Sequence, residues 1–174
     1  TINGATWSTN VPDILQTVFQ PQTKNELQTA VDLWENDNAT ALVTYGEINT
    51  WDVAQITDMS NLFDGKQEFN SDISSWDVSS VTNMSNMFRQ ASDFAGDLSS
   101  WNVSSVVNME ALFDRATSFN GDLSMWDVSS VTTMQRTFNQ ATSFEGNISN
   151  WDVSNVTTMR AMFRLNPSFN DDIS

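Results

Sequence analysis

The stretch FNSDISSWDVSSVTNMSNMFRQA, residues 69–91, decides the fold because it recurs. Its Trp76 belongs to a series, Trp51, Trp76, Trp101, Trp126 and Trp151, spaced 25 residues apart with no insertion or deletion. Phe63, Phe88, Phe113, Phe138 and Phe163 keep the same register, as do Phe69, Phe94, Phe119, Phe144 and Phe169. Valines follow each Trp by two residues (Val53, Val78, Val103, Val128, Val153), and a methionine column runs Met59, Met84, Met109, Met134, Met159. Residues 76–100 and 126–150 are identical at 14 of 25 positions. A unit of this size cannot bury its own apolar face, but copies stacked on one another bury a continuous one.

Each unit reads as one coil of an α/β repeat solenoid. Trp76 and Val78 point inward at period two with Asp77 outward, which predicts a short strand and, across units, a parallel β ladder. Ser85 to Gln90 lacks Pro and Gly and predicts a helical or 3₁₀ turn, and Asp93 to Asp97, with Gly96, the turn back. The solenoid then spans residues 51–174 as five repeats: 51–75, 76–100, 101–125, 126–150 and 151–174. Residues 1–50 form an N-terminal segment. Within it, Thr23-Lys-Asn-Glu26 is a capping box, followed by Leu27, Ala30, Val31 and Trp34 on one face, so an amphipathic helix over about 24–35, ended by the polar Glu35-Asn36-Asp37-Asn38, is expected to cap the stack.

The unit from Phe69 to Ala91 resembles the repeat of BspA-like leucine-rich-repeat surface proteins, a family that includes mycoplasma surface lipoproteins and protist and algal proteins. The resemblance covers about 45–174. It implies a surface-displayed or secreted leucine-rich-repeat-like solenoid used for adhesion or protein contact, with no enzymatic activity and no catalytic residue to carry over.

Composition narrows the function independently. The chain has 174 residues, with 22 Asp plus Glu against 7 Lys plus Arg, a net charge of −15. Nucleic acid and anionic membrane surfaces would repel it. With no His and no Cys, it cannot build a Ser-His-Asp or Cys-His catalytic unit, a zinc site of the usual kind or a disulfide. No apolar run approaches a membrane span. The expected partner is a protein, or a second copy meeting the solenoid ends. The sequence starts without Met and stops inside a repeat at Ser174, which reads as a piece of a longer array or as an edge open to head-to-tail assembly.

Three columns invite ligands: the tryptophans, the acidic residues that follow them, and a second acidic column, Asp72, Asp97, Asp122, Asn147 and Asp172, which reads in the same way as the first. The tryptophans could stack on sugars, but their place in the apolar strand pattern favours core. Asp52, Asp77, Asp127 and Asp152, with Asn102 between them, stand one residue after each Trp, and stacked carboxylates could attract calcium. Asn within the column, and the following Ser-Ser, favour side-chain-to-backbone turn capping, so no cofactor is expected beyond that calcium option. Asp114 reads as an exposed carboxylate. The function expected is that of a non-enzymatic interaction or adhesion module at the cell surface or outside it. The alternatives are a structural fibre subunit and a weak calcium- or carbohydrate-binding module.

Overall fold

Thr23 starts the first regular element. Its side chain accepts from the Glu26 N–H while Glu26 accepts from the Thr23 backbone, so the capping box forms at the head of α1, Lys24–Asn36. The structure, a computed structural model, describes residues 17–171. The polar run Glu35-Asn36-Asp37-Asn38 does not end the helical region. Asp37 caps a second helix, α2, Asn38–Tyr45, accepting from the Thr40 N–H at 3.1 Å and the Thr40 hydroxyl at 2.6 Å. A short 3₁₀ turn, Ile48–Thr50, leads into the repeats.

The repeats do not form the expected α/β solenoid with a parallel β ladder. Among the described residues there is no strand and no sheet, only four isolated parallel bridges: Asp58 with Asn83, Asn83 with Asn108, Asn108 with Thr133, and Thr133 with Thr158. Most of the chain is turn and irregular backbone. The segment from Trp76 to Val78 is not a strand, and Ser85 to Gln90 is not a helix.

The reason lies in how the backbone groups of that segment are divided. The N–H groups of Met84, Asn86, Phe88 and Gln90 donate across to the carbonyls of Asn108, Glu110, Leu112 and Asp114 in the next repeat, at 2.8–2.9 Å. Those of Met87, Arg89 and Ala91 instead close reverse turns onto Met84, Asn86 and Phe88, each at 3.1 Å. A helix would direct every N–H along the chain, and a strand would hold every residue extended. Here Asn86 and Gln90 sit at φ +56° and +61°, and Asn61, Gly65, Ala111, Arg115, Arg136, Gln140, Ala161 and Leu165 repeat that left-handed choice. Alternating curl and cross-donation lets neighbouring repeats bond to each other without either regular structure.

Side chains hold the layers in register. Phe63, Phe88, Phe113, Phe138 and Phe163 form one stack with centroids 5.3–5.6 Å apart. Phe69, Phe94, Phe119, Phe144 and Phe169 form another at 5.7–6.3 Å. Within a layer the two stacks touch: Phe113 and Phe119 are 4.0 Å apart at 7°. All are buried except Phe163 and Phe169 in the last layer, which are partly covered. Gly96 and Gly121 make room for these rings; a Cβ at Gly96 would lie 2.8 Å from the Phe94 ring. Trp51, Trp76, Trp101, Trp126 and Trp151 are also buried. The indole N–H groups of Trp76, Trp101, Trp126 and Trp151 donate to the carbonyls of Ile48, Ile73, Leu98 and Leu123 at 2.8–3.3 Å, each reaching back 28 residues to the turn just before the preceding Trp of the series.

Helix α1 covers the first layer. It buries Leu27, Ala30, Val31 and Trp34, and Trp34 meets Trp51 edge-on at 5.9 Å. Its polar contacts replace those of a missing layer. In later repeats the carbonyls of Met87, Leu112 and Met162 accept a backbone N–H from the preceding repeat, whereas the equivalent Leu62 carbonyl accepts from the Gln28 side chain at 3.1 Å. Lys66 pairs with Asp32 at 2.7 Å and Lys24 with Asp58 at 3.2 Å.

Candidate functional site

An Asp or Asn can accept the backbone N–H of the residue two further on, and the repeat uses this device in column after column. Asp52, Asp77, Asn102, Asp127 and Asp152 accept from Ala54, Ser79, Ser104, Ser129 and Ser154 at 3.0–3.2 Å. Asp72, Asp97 and Asp122 do the same with Ser74, Ser99 and Ser124, each at 2.9 Å. A third column, overlooked in the sequence, is Asp58, Asn83 and Asn108, whose N–H donors are Ser60, Ser85 and Glu110. The spacing of Asp and Asn at 58, 83 and 108 was the available signal.

These bonds favour the charged carboxylate. The hydroxyl and N–H of Ser79, Ser129 and Ser154 hold Asp77, Asp127 and Asp152 below the usual Asp range, and the same groups of Ser74 and Ser124, N–H first, do so for Asp72 and Asp122. Of the four residues considered for calcium, Asp77, Asp127 and Asp152 are exposed, and Asp52 is half-buried with its second oxygen taken by Gln20 at 2.7 Å. Among the described residues no three acidic side chains gather as a cation would require.

Asp114 requires a correction. It is buried, not exposed, because the next layer closes over it. Its two oxygens accept from Asn139 Nδ2 at 2.7 Å and from an Arg136 guanidinium nitrogen at 2.6 Å, with Arg115 at 4.0 Å. It belongs to a polar column, Asp64, Arg89, Asp114, Asn139 and Arg164, running beside the Phe stack. One end of that column is an ion pair between Arg89 and Asp64 with bonds of 2.8 and 2.5 Å. Sequence reading missed it because no two neighbours in the column share a residue type.

The fold and these sites define a tandem-repeat protein in which acidic columns cap turns and aromatic columns fill the core. The chain belongs to the family described as Mycoplasma protein of unknown function, DUF285, whose profile matches residues 36–132 and again 121–174. No curated protein and no solved structure matches the chain. That description carries no activity. Together with the missing sheet, it leaves the leucine-rich-repeat solenoid label, and the surface-adhesion and filament labels drawn with it, without support.

Proposed function

We propose that the chain is a non-enzymatic protein-interaction module, working outside the cell or on its surface through the rigid lateral face of its repeats. One observation carries the reading: the regular carboxylates are committed to their own turns, so what the array holds fixed is an outward surface. The location rests only on the likeness of residues 69–91 to the BspA-like repeat; the family match itself names no role and no location. A protein partner, or a second copy of this chain, fits a surface of net charge −15 better than nucleic acid does.

The test is light scattering and sedimentation of the purified chain over a wide concentration range, alone and mixed with basic and acidic protein partners. Saturable, salt-dependent binding of a protein supports the reading. Long polymers under the electron microscope would favour a structural fibre subunit, and turnover of any substrate at a site on the repeats would defeat the non-enzymatic assignment. A melting temperature that rises on adding calcium would restore the cation reading.

A further inference from the structure

Three of the five arginines, Arg136, Arg160 and Arg164, line a single cavity of about 420 Å³ between the fourth and fifth layers, with Gln135, Asn139 and Ala161 completing its wall. In a chain with three times as many acids as bases, arginines should find carboxylates. Arg136 does, reaching Asp114. Arg160 and Arg164 have no ion-pair partner among the described residues, and both are exposed.

The two amides of the wall sharpen the chemistry. Asn139 is 1% exposed, and its Nδ2 is committed to the Asp114 carboxylate, which only accepts. That fixes the amide orientation and leaves Oδ1 as a buried acceptor with no donor. Gln135 also lines the cavity, and because its Nε2 donates to Glu110 at 2.9 Å, the group its amide has left to offer a ligand there is the acceptor Oε1. The cavity therefore combines guanidinium donors with amide acceptors. A ligand must bring both an anionic group and hydroxyl or N–H donors.

We propose that this cavity binds a hydroxylated carboxylate of the sugar-acid class, its carboxylate held by Arg160 and Arg164 and its hydroxyls donating to Asn139 Oδ1 and Gln135 Oε1. Sulfate offers acceptors alone and leaves both amides unpaired. A simple dicarboxylate does the same. Inorganic phosphate at neutral pH carries one or two P–O–H donors on the same centre as its charge, where a sugar acid carries several hydroxyls spread away from its carboxylate. An amino acid brings donors, but on an ammonium group that three guanidiniums repel. A neutral sugar supplies hydroxyls, whose oxygens can accept from the arginines, but no anionic group to form the charge-assisted bond. The cavity has room for one hexose-sized unit. Ala161 leaves that room: its column holds Asn61 and Asn86 in the first two repeats, at the same left-handed backbone conformation.

The test is isothermal titration, with saturation-transfer NMR as a second readout, using D-glucuronate, D-glucose, glutarate, inorganic phosphate and a short polyglutamate peptide. The expected result is saturable glucuronate binding, with the other four weaker by about tenfold or more, as for loss of a charge-assisted hydrogen bond. R160Q and R164Q, both at exposed positions, should each weaken glucuronate by a similar factor while the circular dichroism spectrum stays unchanged. A161N, which fills the cavity with the residue its column already tolerates, should abolish binding. Absence of saturable glucuronate binding, or binding indifferent to R160Q, R164Q and A161N, overturns the proposal. Phosphate binding as tightly as glucuronate overturns the sugar assignment, as does tighter binding of the peptide, which would mark the site for an acidic protein segment.

Discussion

Replacing Asp114 by Ala tests the packing of the repeat more sharply than any aromatic change, because the residue's sequence context reads as surface. The magnitude follows from what is left behind. The Asn139 amide loses its only acceptor while staying 1% exposed, a cost of about 1–3 kcal/mol for an unsatisfied buried donor. The Arg136 guanidinium is 44% exposed and can turn to water, so its lost bond contributes only about 0.5–1 kcal/mol after screening. The sum is about 1.5–4 kcal/mol, which for a chain of this size lowers the melting temperature by roughly 3–15 °C. The comparison variant is Asp127→Ala, which loses only an exposed turn cap. Thermal unfolding followed by circular dichroism measures both. Restoring part of the loss in Asp114→Leu combined with Asn139→Leu would show that the unpaired amide, not the missing charge, carries the cost. If Asp114→Ala melts within a degree or two of Asp127→Ala, the layer does not close over Asp114 as described.

Phe113, fully buried between Phe88 and Phe138 at 5.5 Å on each side, should cost about 3–5 kcal/mol when changed to Ala, and Trp101→Ala a similar amount, both read by urea unfolding. Gln28→Ala leaves the Leu62 carbonyl without its donor and should cost about 1 kcal/mol, whereas Gln28→Glu should cost more by setting a carboxylate against that carbonyl; both are measured by the same method. Acid should unfold the protein through the capping columns. Asp77, Asp127 and Asp152 are held below their unfolded pKa by Ser79, Ser129 and Ser154, so their contribution is present above about pH 4 and is lost as pH falls through the lower folded values. The triple variant Asp77→Asn, Asp127→Asn, Asp152→Asn keeps the caps without the titration; melting temperature against pH should fall less steeply for it on the acid side, and an unchanged slope would place the acid sensitivity elsewhere.

The period of 25, the buried aromatic columns and the capping box of α1 were legible because each rests on residue types with one dominant use. A Trp or Phe recurring in phase has few places to go but inward, and Thr-x-x-Glu before an apolar run has a single local geometry. The backbone path was not legible. Trp76-Asp77-Val78 alternates as a strand does, yet its backbone bonds are local turns, Trp76 N–H onto Ile73 and Val81 N–H onto Val78, and further along the unit Asn86 and Gln90 take the left-handed region without glycine to announce it. Helix α2 was hidden for a related reason: Asp37 looked like the end of a polar break, and an Asp serves a helix start as readily as a loop.

The polar column was hidden by the very regularity that exposed the rest. Aligning the repeats picks out positions that stay the same, and those are the positions that each layer needs for packing. Asp64, Arg89, Asp114, Asn139 and Arg164 share one position but alternate in charge and donor capacity, because each must complement its neighbour in the next layer instead of copying it. Complementary stacking makes two kinds of junction. Where acid meets base or amide, as at Asp64 with Arg89 and Asp114 with Asn139, the column closes on itself. Where an amide already committed to one neighbour meets an arginine, as at Asn139 and Arg164, an acceptor and a cation are left facing the same space. A stack built from identical units would have no such junction. In a repeat protein of this kind the place to look for a ligand is therefore the column that breaks the period, at the layer where its complementarity runs out.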